Sequence, residues 1–456
     1  MRLFLAGAVL CAATLSLSVD ARAQVDMAAH AEDADRLIEA ALADSAAWDR
    51  LAYLSDTFGP RFSGSQNLED AIDWIEQQMR EDGLENVRTE DVMVPHWVRG
   101  DESLTMVAPR EASLRVLGLG GSIGTPDEGI TAEVMVVSNF DQLELRADEA
   151  AGKIVLFNVP FTQYRRTVLY RVNGAVAAAN AGAVASLIRS VGPYSMQTPH
   201  TGSMRYDLNV PKIPHAAVTL EDANMIARMI DRGDTVRLTL KMEAETLPDA
   251  LSRNVMGEIV GSEFPDEIVV IGGHIDSWDV GQGAMDGGGG SVATWEAVRL
   301  MHALGLRPKR TVRVVLWTNE ENGLRGANVY KDNIGEAIND HILAIESDSG
   351  VFDPLGFGFT GPDAAFEIIQ AIGSLLDGIE AGEVTRGGGG ADIGPLMRDG
   401  VPGMGLRVDG ERYFWYHHTD ADTMEIIDPR DLAECVATLA VMSYTVANLP
   451  DRLPHD

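Results

Sequence analysis

Residues 267–279 read Glu-Ile-Val-Val-Ile-Gly-Gly-His-Ile-Asp-Ser-Trp-Asp, and this stretch decides the fold of the chain. The apolar run at 268–271 predicts a buried strand, which ends where two glycines and His274 follow. In open α/β sheets, sites lie at the carboxyl ends of the strands. A histidine with Asp276 two residues later also suits a metal, because the imidazole can bind the ion while the carboxylate orients the ring. Without further ligands, a His-x-Asp pair after a strand is also typical of a hydrogen bond at the protein surface.

The chain after residue 254 alternates strands with helices. We predict strands at 267–273, 311–317, 342–346 and 403–408, and helices at 291–304, 324–333, 362–376 and 429–449. Two further helices are predicted near the start, at 32–42 and 68–81. Asp428 and Pro429 suit the N-cap and first position of the last helix. The alternation predicts an α/β fold, with a mostly parallel or mixed sheet and helices on both faces.

Residues 104–245 show a different pattern of apolar residues. Short apolar strands dominate there, for example at 132–137 and 153–157, with an alanine-rich helix at 174–180. We therefore predict a separate β-rich lobe at 104–245, inserted into a main domain formed by residues 24–103 and 246–456.

The first residues predict export. Arg2 precedes an apolar stretch at 3–19, and Ala21-Arg22-Ala23 suits cleavage, so residues 1–23 are interpreted as a signal peptide and the protein as periplasmic or secreted. An uncleaved anchor is the alternative, but the stretch is short for a membrane span. Cleavage leaves Cys435 as the one cysteine of the mature chain, without a disulfide partner and in the apolar stripe of a helix.

The composition excludes one class of partner. With 45% hydrophobic and 23% charged residues the chain is typical of a soluble globular protein. Its formal net charge of −33 argues against nucleic acid as a partner, because phosphate binding needs basic patches.

Further acidic and histidine residues follow the predicted strands. Glu320 and Glu321 come after the strand at 311–317, and Asp348 comes after the strand at 342–346. Each alone has an ordinary explanation, such as a solvated surface or a helix cap. Together they converge on one edge of one predicted sheet, where the candidate metal ligands are His274, Asp286, Glu321, Asp348 and His418.

This donor set favours two zinc ions. Two imidazoles and three carboxylates without a thiolate suit zinc, and five protein ligands exceed one tetrahedral site. They suit two ions about 3.5–4 Å apart that share one carboxylate and activate a water for hydrolysis. Glu320 is then left over as a candidate general base.

The motifs resemble those of the co-catalytic zinc exopeptidases, both the bacterial leucyl aminopeptidases and the plasma glutamate carboxypeptidases. The matching stretches are Gly-Gly-His274-Ile-Asp276-Ser-Trp-Asp-Val-Gly-Gln-Gly-Ala-Met-Asp286, Leu-Trp-Thr-Asn-Glu320-Glu321, Glu-Ser-Asp348-Ser-Gly and His418-Thr-Asp-Ala-Asp422-Thr. The resemblance covers nearly all of the mature chain. It implies that the inserted lobe is a protease-associated domain and is compatible with a homodimer.

By this resemblance two zinc ions bind per chain. His274 and Asp348 hold one ion, Glu321 and His418 hold the other, Asp286 bridges them, Asp276 orients His274, and Glu320 is the general base. Which ion holds Asp348 and which holds Glu321 stays open, and His417 competes with His418. In the family a second aspartate usually follows the bridging one, whereas this chain has Gly287. Position 287 is not a ligand, so hydrolysis is expected to survive, whereas the support of the Asp286 carboxylate, and with it the metal affinity, is expected to be affected.

The resemblance implies an exported di-zinc exopeptidase that hydrolyses dipeptides or terminal residues of peptides, with a metal-bridging hydroxide as nucleophile. Recognition of the amino or the carboxyl end stays open. A zinc-dependent cyclising aminoacyltransferase of the same fold is an alternative, against which the five-ligand set argues, since those enzymes use one zinc. A non-catalytic, receptor-like homologue is another. It would be expected to lack ligands or the base, and all are present in this sequence.

Overall fold

The computed structural model describes residues 27–455. The predicted signal peptide at residues 1–23 lies outside the described part of the chain. Among the described residues, none of the helices is both long enough and apolar enough to cross a membrane. Cys435 is buried, as predicted, and its thiol donates to the Phe352 carbonyl at 3.3 Å.

The strands within residues 27–455 form two sheets. In chain order they are β1 (Glu85–Val98), β2 (Glu102–Ala108), β3 (Ala112–Leu114), β4 (Val116–Gly118), β5 (Ile130–Val137), β6 (Ile154–Phe157), β7 (Ala185–Arg189), β8 (His215–Val218), β9 (Arg237–Met242), β10 (Glu245–Ile259), β11 (Phe264–His274), β12 (Arg310–Trp317), β13 (His341–Glu346), β14 (Pro354–Thr360), β15 (Glu383–Arg386) and β16 (Gly403–Val408).

The α-helices of the same residues cover the faces of these sheets. They are α1 (Ala28–Ala43), α2 (Ala46–Tyr53), α3 (Gln66–Glu81), α4 (Phe140–Leu145), α5 (Ala147–Ala150), α6 (Tyr164–Asn180), α7 (Leu220–Asp231), α8 (Gly290–Ala303), α9 (Arg325–Ile334), α10 (Asp363–Gly373), α11 (Gly394–Arg398), α12 (Tyr413–Tyr416) and α13 (Pro429–Ala447). The helix predicted at 362–376 ends earlier than expected, because the chain tightens into a 3₁₀ turn at Ser374–Ile379.

The first sheet carries the predicted site. Its strand order is β1-β10-β12-β11-β13-β16-β14-β15, and the central strands β12, β11, β13 and β16 run parallel. Val269 and Ile271 of β11 pack into one apolar cluster, whereas Ile268 and Val270 pack into another. Because alternate residues of a strand point to opposite faces, both faces of β11 are buried, as an uninterrupted apolar run predicts. The predicted mixed α/β fold is confirmed.

The second sheet is formed by strands that lie between Glu102 and Met242, in the order β3-β2-β9-β5-β6-β7-β8-β4. We call residues 102–242 the second lobe. Its helix α6 spans Tyr164–Asn180, ten residues more than the predicted 174–180 at its N-terminal end. The exact domain boundaries stay a prediction.

Candidate metal centre

His274 stands at the end of the central strand β11 and is fully buried. Its Nδ1 lies 2.8 Å from the backbone oxygen of Asp276, so that nitrogen carries the proton and donates it to the carbonyl. Nε2 then faces the Asp348 Oδ1 at 3.0 Å and the Asp286 Oδ1 at 3.6 Å. The ring is therefore oriented as a metal ligand requires.

Asp286 lies between the two predicted halves of the site. It sits in the buried turn Ala284–Gly289, at the point where the backbone leaves helical geometry. Its Oδ1 faces His274, and its Oδ2 lies 3.3 Å from Nε2 of His418. The Asp422 carboxylate fixes this turn, because it accepts the backbone N–H groups of both Met285 and Asp286.

The second half is built from Glu321 and the histidine pair before the last helix. Glu321 Oε2 lies 3.0 Å from His418 Nε2. The His417 ring stacks on the His418 ring with centroids 3.5 Å apart, and its Nε2 lies 3.6 Å from the Asp286 Oδ2. His417 therefore stays in competition with His418, although only His418 of the two also has a short contact with Glu321.

Two compact donor groups result, and they share one residue. In each group the ligand atoms lie within 4.8 Å of one another. The groups are His274 with Asp286 and Asp348, and Asp286 with His417 and His418.

The carboxylate of Asp276 does not orient the His274 ring, which is the role predicted for this residue. It lies 3.8 Å from the His274 Nδ1, outside hydrogen-bond distance, because the backbone carbonyl of the same residue takes that place. Instead the carboxylate accepts the backbone N–H groups of Glu320 at 3.0 Å and Glu321 at 3.3 Å. Asp276 thus orients His274 through its main chain and the Glu320-Glu321 pair through its side chain.

Glu320 lies beside the two donor groups and belongs to neither. Burial raises the pKa of its carboxyl well above the ordinary value, and the negative charge of Asp348 raises it further. A carboxylate with a raised pKa accepts a proton more readily near neutral pH, which is what a general base requires.

The protein groups fit a divalent cation. Asp286 Oδ2 and Glu321 Oε1 are buried without a hydrogen-bond partner. A small cavity of about 10 Å³ lies beside them and is also lined by His418. Burial opposes charge on His418, yet Glu321 and Asp286 raise the pKa of its imidazole to about 10. The raised pKa shows that the surrounding carboxylates stabilise positive charge at this position. A bound metal ion would carry such a charge.

Three residues near the centre lie outside the predicted set of ligands and base. The Tyr413 hydroxyl donates to Asp286 Oδ1 at 3.4 Å. Glu346 accepts the backbone N–H groups on either side of Asp392, and both carboxyl oxygens of Asp392 are buried without a partner. Burial, with Glu346 and Glu320 nearby, raises the pKa of Asp392 well above its ordinary value. Asp392 follows the glycine run 387–390, which was the available sequence signal; Tyr413 had none.

A cavity of about 290 Å³ opens next to Asp348. Its lining residues are Asp348, Ser349, Leu406, Arg407, Val408, Gly410, Tyr413 and Phe414. Both Asp348 and Tyr413 also belong to the surroundings of the donor groups, so this cavity is the candidate substrate-binding space.

Comparisons with known proteins extend the resemblance from the motifs to most of the chain. The sequence model of peptidase family M28 matches residues 254–443. Carboxypeptidase Q of Bos taurus is 50% identical over 413 residues, covering 91% of this chain and 88% of that protein. The structure of a Peptidase M28 precursor from Shewanella amazonensis SB2B has a TM-score of 0.90 at 34% identity, covering 94% of this chain and 99% of its own. BSAP, a zinc aminopeptidase from Bacillus subtilis, shares the fold with a TM-score of 0.67 at 20% identity, covering 90% and 98%.

Proposed function

Since this chain belongs to peptidase family M28 and is a metallopeptidase, we propose that it is an exopeptidase that hydrolyses dipeptides or terminal residues of peptides with two zinc ions. The observation that carries the proposal is the pair of donor groups that share Asp286, together with Glu321, whose Oε2 lies 3.0 Å from the His418 Nε2; the proposed ligands among these residues are His274, Asp286, Glu321, Asp348 and His418. Two histidines, three carboxylates and no thiolate favour zinc over softer or harder ions.

The ligands divide between two ions. His274 and Asp348 would hold one ion, Glu321 and His418 would hold the other, and Asp286 would bridge them. Support comes from the Asp286 carboxylate, whose two oxygens face a histidine of each half. When bound, the two ions supply a water of lowered pKa and polarise the scissile carbonyl.

Glu320 would take the proton from that water and return it to the leaving amine. A carboxylate can make both transfers, because the protonated base is itself an acid. The Asp276 carboxylate accepts the backbone N–H groups of both Glu320 and Glu321. It therefore fixes the position of the base relative to the neighbouring ligand.

The substrate is expected to be small and to present a free amino end. The cavity beside Asp348 is about 290 Å³, at the lower end of small-molecule sites. Asp348 lines this cavity, and a carboxylate attracts an ammonium group. The amino-end preference is thus an electrostatic proposal, and carboxyl-end recognition is its competitor.

Export completes the proposed function. The apolar stretch at 3–19 with Ala21-Arg22-Ala23 favours a cleaved signal peptide and a periplasmic or secreted enzyme. Detection of the mature N-terminus at Gln24 in an exported fraction would support this address.

Replacement of the base tests the mechanism. Glu320→Gln keeps the shape of the side chain and removes its ability to take a proton. We expect kcat for a free dipeptide to fall by about 10²–10⁴-fold while the zinc content stays unchanged. Glu336→Gln, on an exposed turn, is the control and should keep full activity. Full activity of Glu320→Gln with zinc bound would contradict the proposed role.

Blocked substrates test the amino-end proposal. Hydrolysis rates of free dipeptides, N-acetylated dipeptides and aminoacyl amides are compared with the wild-type enzyme. We expect free dipeptides and aminoacyl amides to be hydrolysed and N-acetylated dipeptides to be spared. Equal cleavage of acetylated and free substrates would rule out amino-end recognition.

A further inference from the structure

A segment of the second lobe lies directly against the second half of the metal centre. The backbone N–H of Thr201 donates to the His418 carbonyl at 3.0 Å. The His418 Nδ1 lies 3.4 Å from the Thr201 carbonyl oxygen. Two residues further on, the Ser203 hydroxyl donates to the backbone carbonyl of Glu321 at 2.9 Å. Both predicted ligands of one ion therefore contact the second lobe.

The Thr201 carbonyl has the same role for His418 that the Asp276 carbonyl has for His274. Each carbonyl oxygen faces the Nδ1 of its histidine, at 2.8 Å for Asp276 and 3.4 Å for Thr201, and the Arg171 Nη1 lies 3.5 Å from the His418 Nδ1 as well. A proton held on Nδ1 by a carbonyl leaves Nε2 free for a metal. The two halves differ in origin, because Asp276 belongs to the loop of its own histidine whereas Thr201 comes from the other lobe.

Arg171 fixes the Thr201 carbonyl in place. It belongs to α6 of the second lobe, is 6% exposed, and donates through Nη1 to the Thr201 oxygen at 3.2 Å. Its Nη2 donates to the Tyr164 hydroxyl at 2.9 Å. The guanidinium packs against Gly202, where an added Cβ would lie 2.1 Å from Nη1. Thr201 is tied down on its other side as well, because its hydroxyl donates to the Gly118 carbonyl at 2.8 Å.

We propose that Arg171 is a positioning residue for the metal held by His418 and Glu321, acting through its contacts with the Thr201 carbonyl and the His418 ring. The second lobe then contributes residues that orient a metal ligand. The inference rests on the proposed function only in that it requires ions at the two donor groups.

Metal affinity is the readout that tests it. Arg171→Met removes the donors and keeps an unbranched apolar chain. Zinc per chain is measured in buffers of fixed free zinc, and the two sites are followed separately by the absorption of the cobalt-substituted protein. The wild type should bind two ions. Arg171→Met should keep one ion tightly and bind the second about 10–100-fold more weakly, the usual effect of losing an outer partner of a ligand.

The chain offers a matched control. Arg189 of β7 belongs to the same lobe and donates to the Asn224 side chain at 3.3 Å. Arg189→Met should keep both ions at wild-type affinity. Arg171→Lys, which restores a donor, should recover part of the second affinity, which a merely structural defect would not predict.

The outcomes separate the two proposals. Two ions at wild-type affinity in Arg171→Met would overturn the positioning role. If this variant does not fold, Tyr164→Phe, which removes the partner of Nη2, must show the same selective weakening on a smaller scale, and unchanged affinity there would overturn the role equally. A wild type that binds two ions but hydrolyses no peptide contradicts the proposed function alone. A wild type that binds fewer than two ions contradicts both.

Discussion

At the scale of single residues, Gly287 marks the departure of this chain from the family pattern, and the structure gives it a physical reason. Its φ is +93°, a conformation that favours glycine. An added Cβ would lie 2.7 Å from both the Asp276 carbonyl oxygen and the His274 Cε1. A side chain at 287 would press on the hydrogen bond that orients His274. Asp286, the predicted bridging ligand, accepts a hydrogen bond from the Tyr413 hydroxyl.

Gly287→Ala should therefore weaken metal binding at the His274 half. We expect the affinity for one of the two ions to fall about 10-fold or more, because the ring loses its orienting carbonyl. Gly152 also has a positive φ, of +73°, but an added Cβ there would meet nothing within 4 Å. Gly152→Ala thus introduces backbone strain without a steric contact. This variant should bind both ions with wild-type affinity in a zinc titration. Equal affinities in both variants would contradict this explanation.

Asp276 shows the limit of residue-level prediction. The His-x-Asp spacing predicts that this residue orients His274, and it does contact the ring. Whether the carbonyl or the carboxylate makes that contact depends on the path of the loop after β11, and this path is set by distant residues. One of them is Arg61, whose guanidinium donates to the backbone carbonyls of Ile275, Gly59, Gln282 and Gly283.

At the scale of elements, a capping signal in the sequence predicts where the last helix begins. The last helix, α13, starts at Pro429, and the Asp428 side chain accepts the backbone N–H of Arg430 at 2.8 Å, as the cap signal indicates. The long strands β1 and β10 were not predicted. β1 lies at the edge of the sheet and has charged side chains along it, so its apolar pattern is interrupted.

The cap of α13 gives an element-level prediction. Asp428→Ala removes the acceptor for the helix N-terminus and should lower the free energy of unfolding by about 1 kcal/mol. Asp428→Asn keeps an acceptor oxygen and should stay close to the wild type. Urea unfolding followed by circular dichroism measures both. A loss as large in Asp428→Asn as in Asp428→Ala would show that the cap bond is not the cause.

At the scale of the whole molecule, buried neutral histidines link stability to pH. His341, at the start of β13, lies 2.9 Å from the Tyr330 hydroxyl through Nε2 and 2.9 Å from the Ala337 carbonyl through Nδ1. Arg313 donates to the same Tyr330 hydroxyl, so the chain of donors suits a neutral ring that accepts at Nε2. Burial lowers the pKa of His341 from 6.5 to about 4.

Acid should therefore destabilise the fold through His341. Between pH 6.5 and pH 4 the unfolded chain binds the proton and the folded chain does not, so the contribution is complete above pH 6.5 and is lost as the pH falls toward 4. The loss reaches roughly 3 kcal/mol at most. Unfolding of the metal-free protein at pH 4.5, 5.5 and 7 measures it. His341→Gln should show a shallower fall with acid, whereas His302→Gln, on an exposed site, should keep the wild-type fall.

The sequence by itself determined the α/β fold and the residues that meet at the edge of the first sheet. The physical reason is local: His274, Glu321 and Asp348 each follow a buried apolar strand, and parallel strands bring such ends to the same edge. The tertiary structure decided which atoms orient those residues. Thr201 and His418 meet across 217 positions of sequence, and Arg171 across 247. Contacts of that range depend on how the second lobe packs against the loop before the last helix, which no local pattern of residues records.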